Sequence, residues 1–376
     1  MRLDRYQRHS LIDWFSQDSL KAATYAIVGC GAIGNEVAKN LALLGVGNVH
    51  LYDFDTIELH NLTRSVLFRE EDVGENKAVV AAQRLKQLDP AINALAFPGD
   101  FWESMDLSAM HQYAAVFCCV DNFEARIRLN QLCRLSGTNL VNAGIDSRHV
   151  MVEVFPFADR PACTCYECNL PSSVYQRIQE RYSCGWLKRV AYAERKVPTT
   201  IITSSLAGAH AASVGLRLGS APGETDRPRR IYIDSITGNT TVSELSKNGN
   251  CLFCGEIDDE ILIAKASSSV TSDLPGAANN AGETVLYSSD AILVTAHCVT
   301  CEPAGPKTIF ARASDFDSRL RRCASCGQES VDFDIRDSFN IDELVGSYLG
   351  HRMPAKFLRF RAEWKTYVIQ LEHIDA

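Results

Sequence analysis

Apolar and polar residues are patterned in two periods along the first half of this chain. A short apolar run, Ala26-Ile27-Val28, meets a glycine-spaced stretch, Gly29-Cys30-Gly31-Ala32-Ile33-Gly34. A helical pattern follows through Leu41, and a second apolar run ends at Leu51-Tyr52-Asp53. That order predicts a strand, a tight turn, a helix and a parallel strand. Apolar residues at Ala78, Ala81, Ala82, Leu85 and Leu88 share one helical face, so 75–88 reads as a helix. Residues 92–97 read as a strand, 114–120 as a buried strand, 124–136 as a helix and 139–142 as another strand. A polar-apolar pattern over 1–22 predicts an N-terminal helix. Strands alternating with helices give an α/β class, a doubly wound and mostly parallel sheet.

The pattern changes after Gly144. Residues 149–157 alternate like an antiparallel strand. Residues 171–196 are charged and irregular, with one expected helix. Residues 200–218 are rich in Ala, Ser and Gly with apolar spacing, as suits a helix packed tightly under the sheet. Two runs, 230–235 and 240–245, read as a hairpin around Thr237-Gly238-Asn239. Residues 266–284 are rich in Ser, Ala, Gly and Asn, which places a linker or long loop at 257–285. The expected organisation is therefore a nucleotide-binding domain at 1–256, the linker, and a small α+β module at 286–376. That module has strand-like runs at 291–296, 308–311 and 367–371 and a helix near 342–348.

Composition narrows the class without naming a function. Of 376 residues, 46% are hydrophobic and 22% charged, as in an ordinary globular protein. The net charge of −8 argues against a general nucleic-acid surface. No apolar run is long enough to span a bilayer, and the first residues lack the apolar centre of a signal peptide. Fourteen cysteines change the picture more. Eight fall in Cys-x-x-Cys pairs: Cys165/Cys168, Cys251/Cys254, Cys298/Cys301 and Cys323/Cys326. Thiolates two residues apart on a turn grip one tetrahedral metal. The expectation is a reducing cytoplasm and two structural Zn2+ sites, the second a zinc ribbon that replaces the core a small module lacks.

The glycine stretch is the candidate chemical centre. Gly29 permits the turn, Gly31 lets a phosphate approach the backbone, Gly34 lets the helix pack close, and Asp53 can take ribose hydroxyls. Alone, this fingerprint fits a nicotinamide dehydrogenase equally well. Three further groups change the balance: Asn61-Leu62-x-Arg64, Gly74-x-x-Lys77 at a helix start, and Asp121-Asn122-x-x-Ala125-Arg126 at a strand end. Two cations and a carboxylate around a phosphate cradle suit triphosphate chemistry with Mg2+. A lysine opposes the macrodipole at a helix start, which a phosphate partner would explain.

On these residues the sequence resembles the ubiquitin-activating enzyme family, including its bacterial ThiF and MoeB members. The resemblance runs from Arg5-Tyr6-x-Arg8 through Asp53-Phe54-Asp55-Thr56-Ile57-Glu58-Leu59-x-Asn61-Leu62-x-Arg64, then Gly74-x-x-Lys77 and Asp121-Asn122. It implies a Rossmann-like adenylation domain in which the C-terminal carboxylate of a small β-grasp protein attacks ATP, releasing pyrophosphate and leaving an acyl-adenylate. It further implies that Arg64 and Lys77 contact phosphate, Asp53 holds ribose and Asp121 orients magnesium. Arg8 would reach the γ-phosphate across a homodimer interface. Asp55, Asn61 and Asn122 fall in the same nucleotide-binding stretches, and the pairs at 165/168 and 251/254 match the family's structural zinc site. Simpler roles stand beside these: Arg8 as a solvated surface charge, Asn61 as a turn stabiliser and Asp55 as a loop cap. Ser65 stands where the family usually has glutamine.

Some family members pass the acyl group to a cysteine, and Cys184 is the candidate in the expected mobile segment 171–198. Flanking Arg181, Lys188 and Arg189 would lower its pKa if they face it. Sulfur-carrier activators commonly place their cysteine just before the Ala-rich helix, where this chain has Lys196-Val197-Pro198-Thr199-Thr200. The C-terminal module would recruit a conjugating enzyme, as in the activating enzymes of bacterial ubiquitin-like conjugation operons in antiphage defence. The alternatives are an adenylyltransferase for a sulfur carrier, peptide or tRNA with no covalent relay, and a zinc-bearing nucleotide-binding scaffold.

Overall fold

A computed structural model of the chain describes residues 5–12, 16–160, 162–174, 198–220, 227–257, 260–268, 284–301, 306–315, 322–348 and 350–372. The chain divides into two compact units, the first from Met1–Pro171 and Glu194–Glu256, the second built on Ile257–Ala376.

The first unit is organised by an eight-stranded sheet. Its strands are β1 (Thr24–Val28), β2 (Asn48–Tyr52), β3 (Asn93–Phe97), β4 (Ala115–Cys118), β5 (Leu140–Ile145), β6 (His149–Phe155), β7 (Arg229–Asp234) and β8 (Thr240–Glu244). The order is β3-β2-β1-β4-β5-β6-β7-β8. Pairing is parallel from β3 to β5 and antiparallel from β5 to β8. Helix α1 (Gln17–Ala22) precedes β1, and helices α2 (Ala32–Leu43), α3 (Lys77–Leu88), α4 (Phe101–Ser104) and α5 (Phe123–Ser136) connect the parallel strands. The strand order reverses between β1 and β4, and ligands of such sheets sit at the carboxyl ends of the strands there. The expected N-terminal helix is shorter than its pattern: among the described residues it reduces to a 3-10 turn at His9–Leu11 and to α1.

The long helix Ile201–Ser220 follows from its small residues. A Cβ on Gly208 would lie 2.3 Å from the Glu36 Cβ on α2, and one on Gly215 would lie 2.3 Å from the Phe117 ring on β4. Only glycine allows contact this close. Ala207, Ala211 and Leu216 of this helix join Val37, Leu41, Phe117, Val141 and Val152 in one core, all nearly inaccessible to solvent.

The second unit is a six-stranded sheet of β9 (Ile261–Ser267), β10 (Val285–Cys298), β11 (Lys307–Arg312), β12 (Val331–Asn340), β13 (Phe357–Ala362) and β14 (Lys365–Glu372), with a helix at Ile341–Tyr348. The order is β11-β10-β13-β14-β9, and β12 also pairs β10. Its own core gathers Leu286, Phe310, Phe339, Leu344, Met353 and Phe360. The expected linker at 257–285 needs correction: Ile261–Ser267 is strand β9, paired in parallel with Thr366–Glu372 of β14. The run Ile261-Leu262-Ile263-Ala264 has the apolar content of a strand, although most of its residues are exposed at the edge of the sheet. Strands β12 and β13 are additional to the expected runs, although Val331, Phe333 and Ile335 alternate with Asp332, Asp334 and Arg336 in the period of a strand.

Candidate functional site

The glycine stretch forms the turn between β1 and α2 at the reversal of strand order. Gly29 has φ +91°, and a Cβ there would lie 2.8 Å from the Cys119 backbone just past β4. Gly29 N–H donates to the Tyr52 carbonyl at 2.9 Å, and Cys119 N–H donates to the Val28 carbonyl at 2.8 Å. The turn is therefore pinned to both neighbouring strands. A Cβ on Gly34 would lie 1.9 Å from the Gly29 carbonyl oxygen, so the helix start rests directly on the turn. Gly31, by contrast, has open space where a Cβ would project.

Asp53 leaves β2 facing this turn. Its carboxylate accepts from Cys30 N–H at 2.6 Å and from Asp55 N–H at 2.8 Å. Burial pushes its pKa up, opposed by nearby Lys77 and by those two backbone donors. Lys77 Nζ lies 2.7 Å from Asp55 Oδ2, so its counter-charge at the start of α3 comes from Asp55. Asn76 organises the same corner. Its Oδ1 caps α3 by accepting from Ala78 and Val79 N–H, and its Nδ2 donates to the Asp53 carbonyl at 2.9 Å and the Asp55 carbonyl at 3.2 Å.

Arg64 follows a 3-10 turn at Leu59–Thr63, and its Nη1 donates to the His60 carbonyl at 2.8 Å. Asn61 Oδ1 accepts from Glu58 N–H at 3.0 Å, the turn-stabilising role. Asp121 is exposed past β4, next to Asn122, whose Oδ1 caps α5 by accepting from Ala125 N–H at 2.8 Å. Arg126 donates to the Val120 carbonyl, to Asn142 Oδ1 and, at 2.8 Å, to the Ala143 carbonyl. Asn142 donates in turn to Glu153 at 2.7 Å, and Arg230 donates twice to the same buried carboxylate, at 2.9 and 2.6 Å. Asp53, Asp55 and Lys77 are thus brought together beside the glycine turn. Arg8 is exposed near the N-terminal segment, which Arg5 and Tyr6 tie to Asp89. Cys184 lies outside the described residues.

Two sets of four cysteine sulfurs converge. Cys165, Cys168, Cys251 and Cys254 are all buried, with Sγ separations of 3.9, 3.8 and 3.2 Å along the set. Cys298, Cys301, Cys323 and Cys326 lie 3.7, 3.5 and 3.6 Å apart. A tetrahedral zinc with arms of about 2.3 Å has edges of about 3.8 Å, so both sets have the donors and spacing for Zn2+. The first knuckle docks on α5, where Asn130 Oδ1 accepts from Tyr166 N–H at 3.0 Å and Nδ2 donates to Glu167 at 3.2 Å. The second is shaped by a tight turn with Gly327 at φ +71°, where Cys323 N–H donates to the Gln328 carbonyl at 2.8 Å. Burial pushes the Cys30, Cys118, Cys119 and Cys133 thiols up, and the Cys163 thiol up to about 11, which makes these five poor nucleophiles at neutral pH.

Three positions escaped the sequence reading. Asn76 carried a usable signal, since asparagine just before a helix is a cap. Asn35, fully buried on α2, and Glu153, buried on β6, carried none: a single polar residue inside an apolar pattern does not reveal its partners.

Comparison with known proteins places this geometry. A sulfur carrier protein adenylyltransferase of Thermus thermophilus is 36% identical over 174 residues, covering 45% of this chain and 64% of that protein. The SUMO-activating enzyme subunit uba-2 of Caenorhabditis elegans is 37% identical over 144 residues, 38% of this chain and 24% of that protein. The adenylyltransferase and sulfurtransferase MOCS3 of Mus musculus is 36% identical over 170 residues, 44% of this chain and 36% of that protein. The chain thus spans less than two thirds of the length of these relatives. Escherichia coli MccB, solved with ATP, superposes with a TM-score of 0.53 at 26% identity, covering 68% of this chain and 75% of MccB. The ThiF family model matches residues 4–253, the stretch that carries the glycine turn, Asp53, Arg64, Lys77, Asp121 and three of the four cysteines of the first set, Cys165, Cys168 and Cys251. This chain belongs to the ThiF family.

Proposed function

We propose that the protein is an ATP-dependent adenylyltransferase that activates the C-terminal carboxylate of a ubiquitin-like protein. The observation that carries the reading is the held Asp53 carboxylate, facing the open Gly31 with Lys77 and Asp55 beside it. ATP would lie with its ribose on Asp53 and its phosphates over the amides at the start of α2. Arg64 and Lys77 would meet the charge that grows on the α-phosphate as the acyl carboxylate attacks and pyrophosphate leaves. Asp121 would hold Mg2+, which neutralises phosphate charge when bound. Asn61 and Asn122 would keep their turn and helix start in register. The likeness to MccB, solved with ATP, supports the nucleotide. The likeness to a SUMO-activating subunit and to a sulfur carrier adenylyltransferase supports a protein carboxylate as acceptor.

Cys184 would then take the acyl group as a thioester, with release of AMP, and pass it to a conjugating enzyme recruited by the second unit. A homodimer, with Arg8 reaching a neighbouring site, and a place in a bacterial antiphage conjugation system complete the proposal. A second reading, adenylation without covalent relay, is favoured by MccB having been solved with MccA and by the absence of cysteine from 196–200. ATP–pyrophosphate exchange with a β-grasp protein ending in glycine tests the first step. No exchange with any carboxylate acceptor sinks the adenylation reading. A thiol-sensitive adduct that survives Cys184→Ala refutes the nucleophile, and adenylate without such an adduct establishes the second reading.

A further inference from the structure

We propose that Asn35 is a positioning residue that couples the phosphate turn to the loop bearing Arg64, so that triphosphate binding at one sets the other. Resting on the adenylation reading, it adds a residue to that site. Asn35 is fully buried in the first turn of α2. Its Nδ2 donates to the Cys30 carbonyl at 2.6 Å, and its Oδ1 accepts from Leu67 N–H at 2.9 Å. The two ends of one amide thus hold two segments far apart in sequence.

The two segments have different further supports. The Cys30 peptide is fixed from its other side, where N–H donates to Asp53. The Arg64 loop is folded by short-range bonds: Asn61 N–H to the Glu58 carbonyl at 2.8 Å, Arg64 N–H to Asn61 at 3.1 Å and Phe68 N–H to Ser65 at 3.2 Å. Leu67 and Phe68 sink into the core just beyond it. A displacement of the Cys30 carbonyl, which borders the Gly31 opening, therefore reaches the segment just after Arg64 directly through the Asn35 side chain. An apolar residue at 35 would fill the volume but leave a buried carbonyl and a buried N–H unpaired. A serine can reach one of the two partners but not both.

Adenosine meets Asp53, whereas the triphosphate needs the turn and Arg64 together. Loss of the coupling should therefore weaken ATP and spare adenosine. Titrations of the whole chain with ATP and with adenosine read this directly. Asn35→Ala is expected to raise the Kd for ATP at least tenfold with adenosine within twofold, and Asn35→Ser to fall between. Equal shifts for both ligands, or none, in a folded variant overturn the coupling and leave the nucleotide site standing. A parent chain that binds no ATP overturns both. Amide exchange at Leu67 in the unsubstituted chain keeps the test open if the variants fail to fold: ATP should slow it and adenosine should not, and equal protection by the two refutes the proposal.

Discussion

Gly31 and Gly34 stand three residues apart in the same turn, and the structure assigns them opposite sensitivities to the same substitution. At Gly34, a methyl carbon would lie 1.9 Å from the Gly29 carbonyl oxygen and 2.9 Å from the Gly29 carbonyl carbon, while real contacts keep at least 3.0 Å. The start of α2 would have to retreat by about 1.1 Å from a backbone atom that cannot rotate away. Overpacking of this kind costs about 1–3 kcal/mol, and the upper end applies where the obstacle is backbone. At Gly31, φ is −76° and nothing lies within 4 Å of the added carbon, so Gly31→Ala should change stability by less than about 1 kcal/mol. The methyl would instead project into the open space beside the helix start, where the proposed phosphates would lie. Urea unfolding and ATP titration of the two variants separate these effects. Gly34→Ala should lower the unfolding midpoint strongly. Gly31→Ala should unfold like the parent but bind ATP at least tenfold more weakly, about 1.4 kcal/mol. Wild-type ATP affinity in Gly31→Ala would refute the phosphate cradle, and an unperturbed midpoint in Gly34→Ala would refute the packing argument.

Metal analysis of the purified chain should find two zinc ions, and Cys165→Ser or Cys323→Ser should each remove one; an unchanged content would deny the affected site. Replacing Arg230 leaves the buried Glu153 carboxylate without its charged partner, so Arg230→Ala should destabilise the first unit by about 3 kcal/mol in denaturant unfolding. Burial raises the Asp53 pKa from its ordinary value, so it gains its proton at a higher pH than an exposed aspartate as pH falls. ATP affinity should therefore decline on acidification earlier than surface carboxylates titrate, and Asp53→Asn should flatten that profile; an identical profile in the variant would remove Asp53 from the site. Deletion of residues 257–376, which removes β9 together with its partner β14, should leave pyrophosphate exchange intact and abolish transfer to a conjugating partner, and loss of both would show the second unit to be needed for adenylation.

The parallel half of the first sheet was written in local pattern. Short apolar runs, one glycine turn and a helical face at 78–88 suffice, because strand, turn and helix are each decided by neighbours within a few residues. Paired cysteines announced both metal knuckles for the same reason, since a two-residue spacing is itself the turn. The tertiary structure decided which cysteine pair meets which: Cys165/Cys168 joins Cys251/Cys254 across more than eighty residues, and β7 and β8 carry the second pair to the first. It also decided where β9 goes, since its apolar run does not say which strand it pairs with, and the structure sets it in parallel beside β14 at the edge of the second sheet. The same holds at the site. Gly29, Gly34, Asp53 and the capping role of Asn76 are legible in the chain, but Asn35 and the Arg126–Asn142–Glu153–Arg230 network depend on polar groups meeting from distant segments. A buried polar side chain acquires its meaning from the partner that satisfies it, and that partner is fixed only when the sheet has assembled.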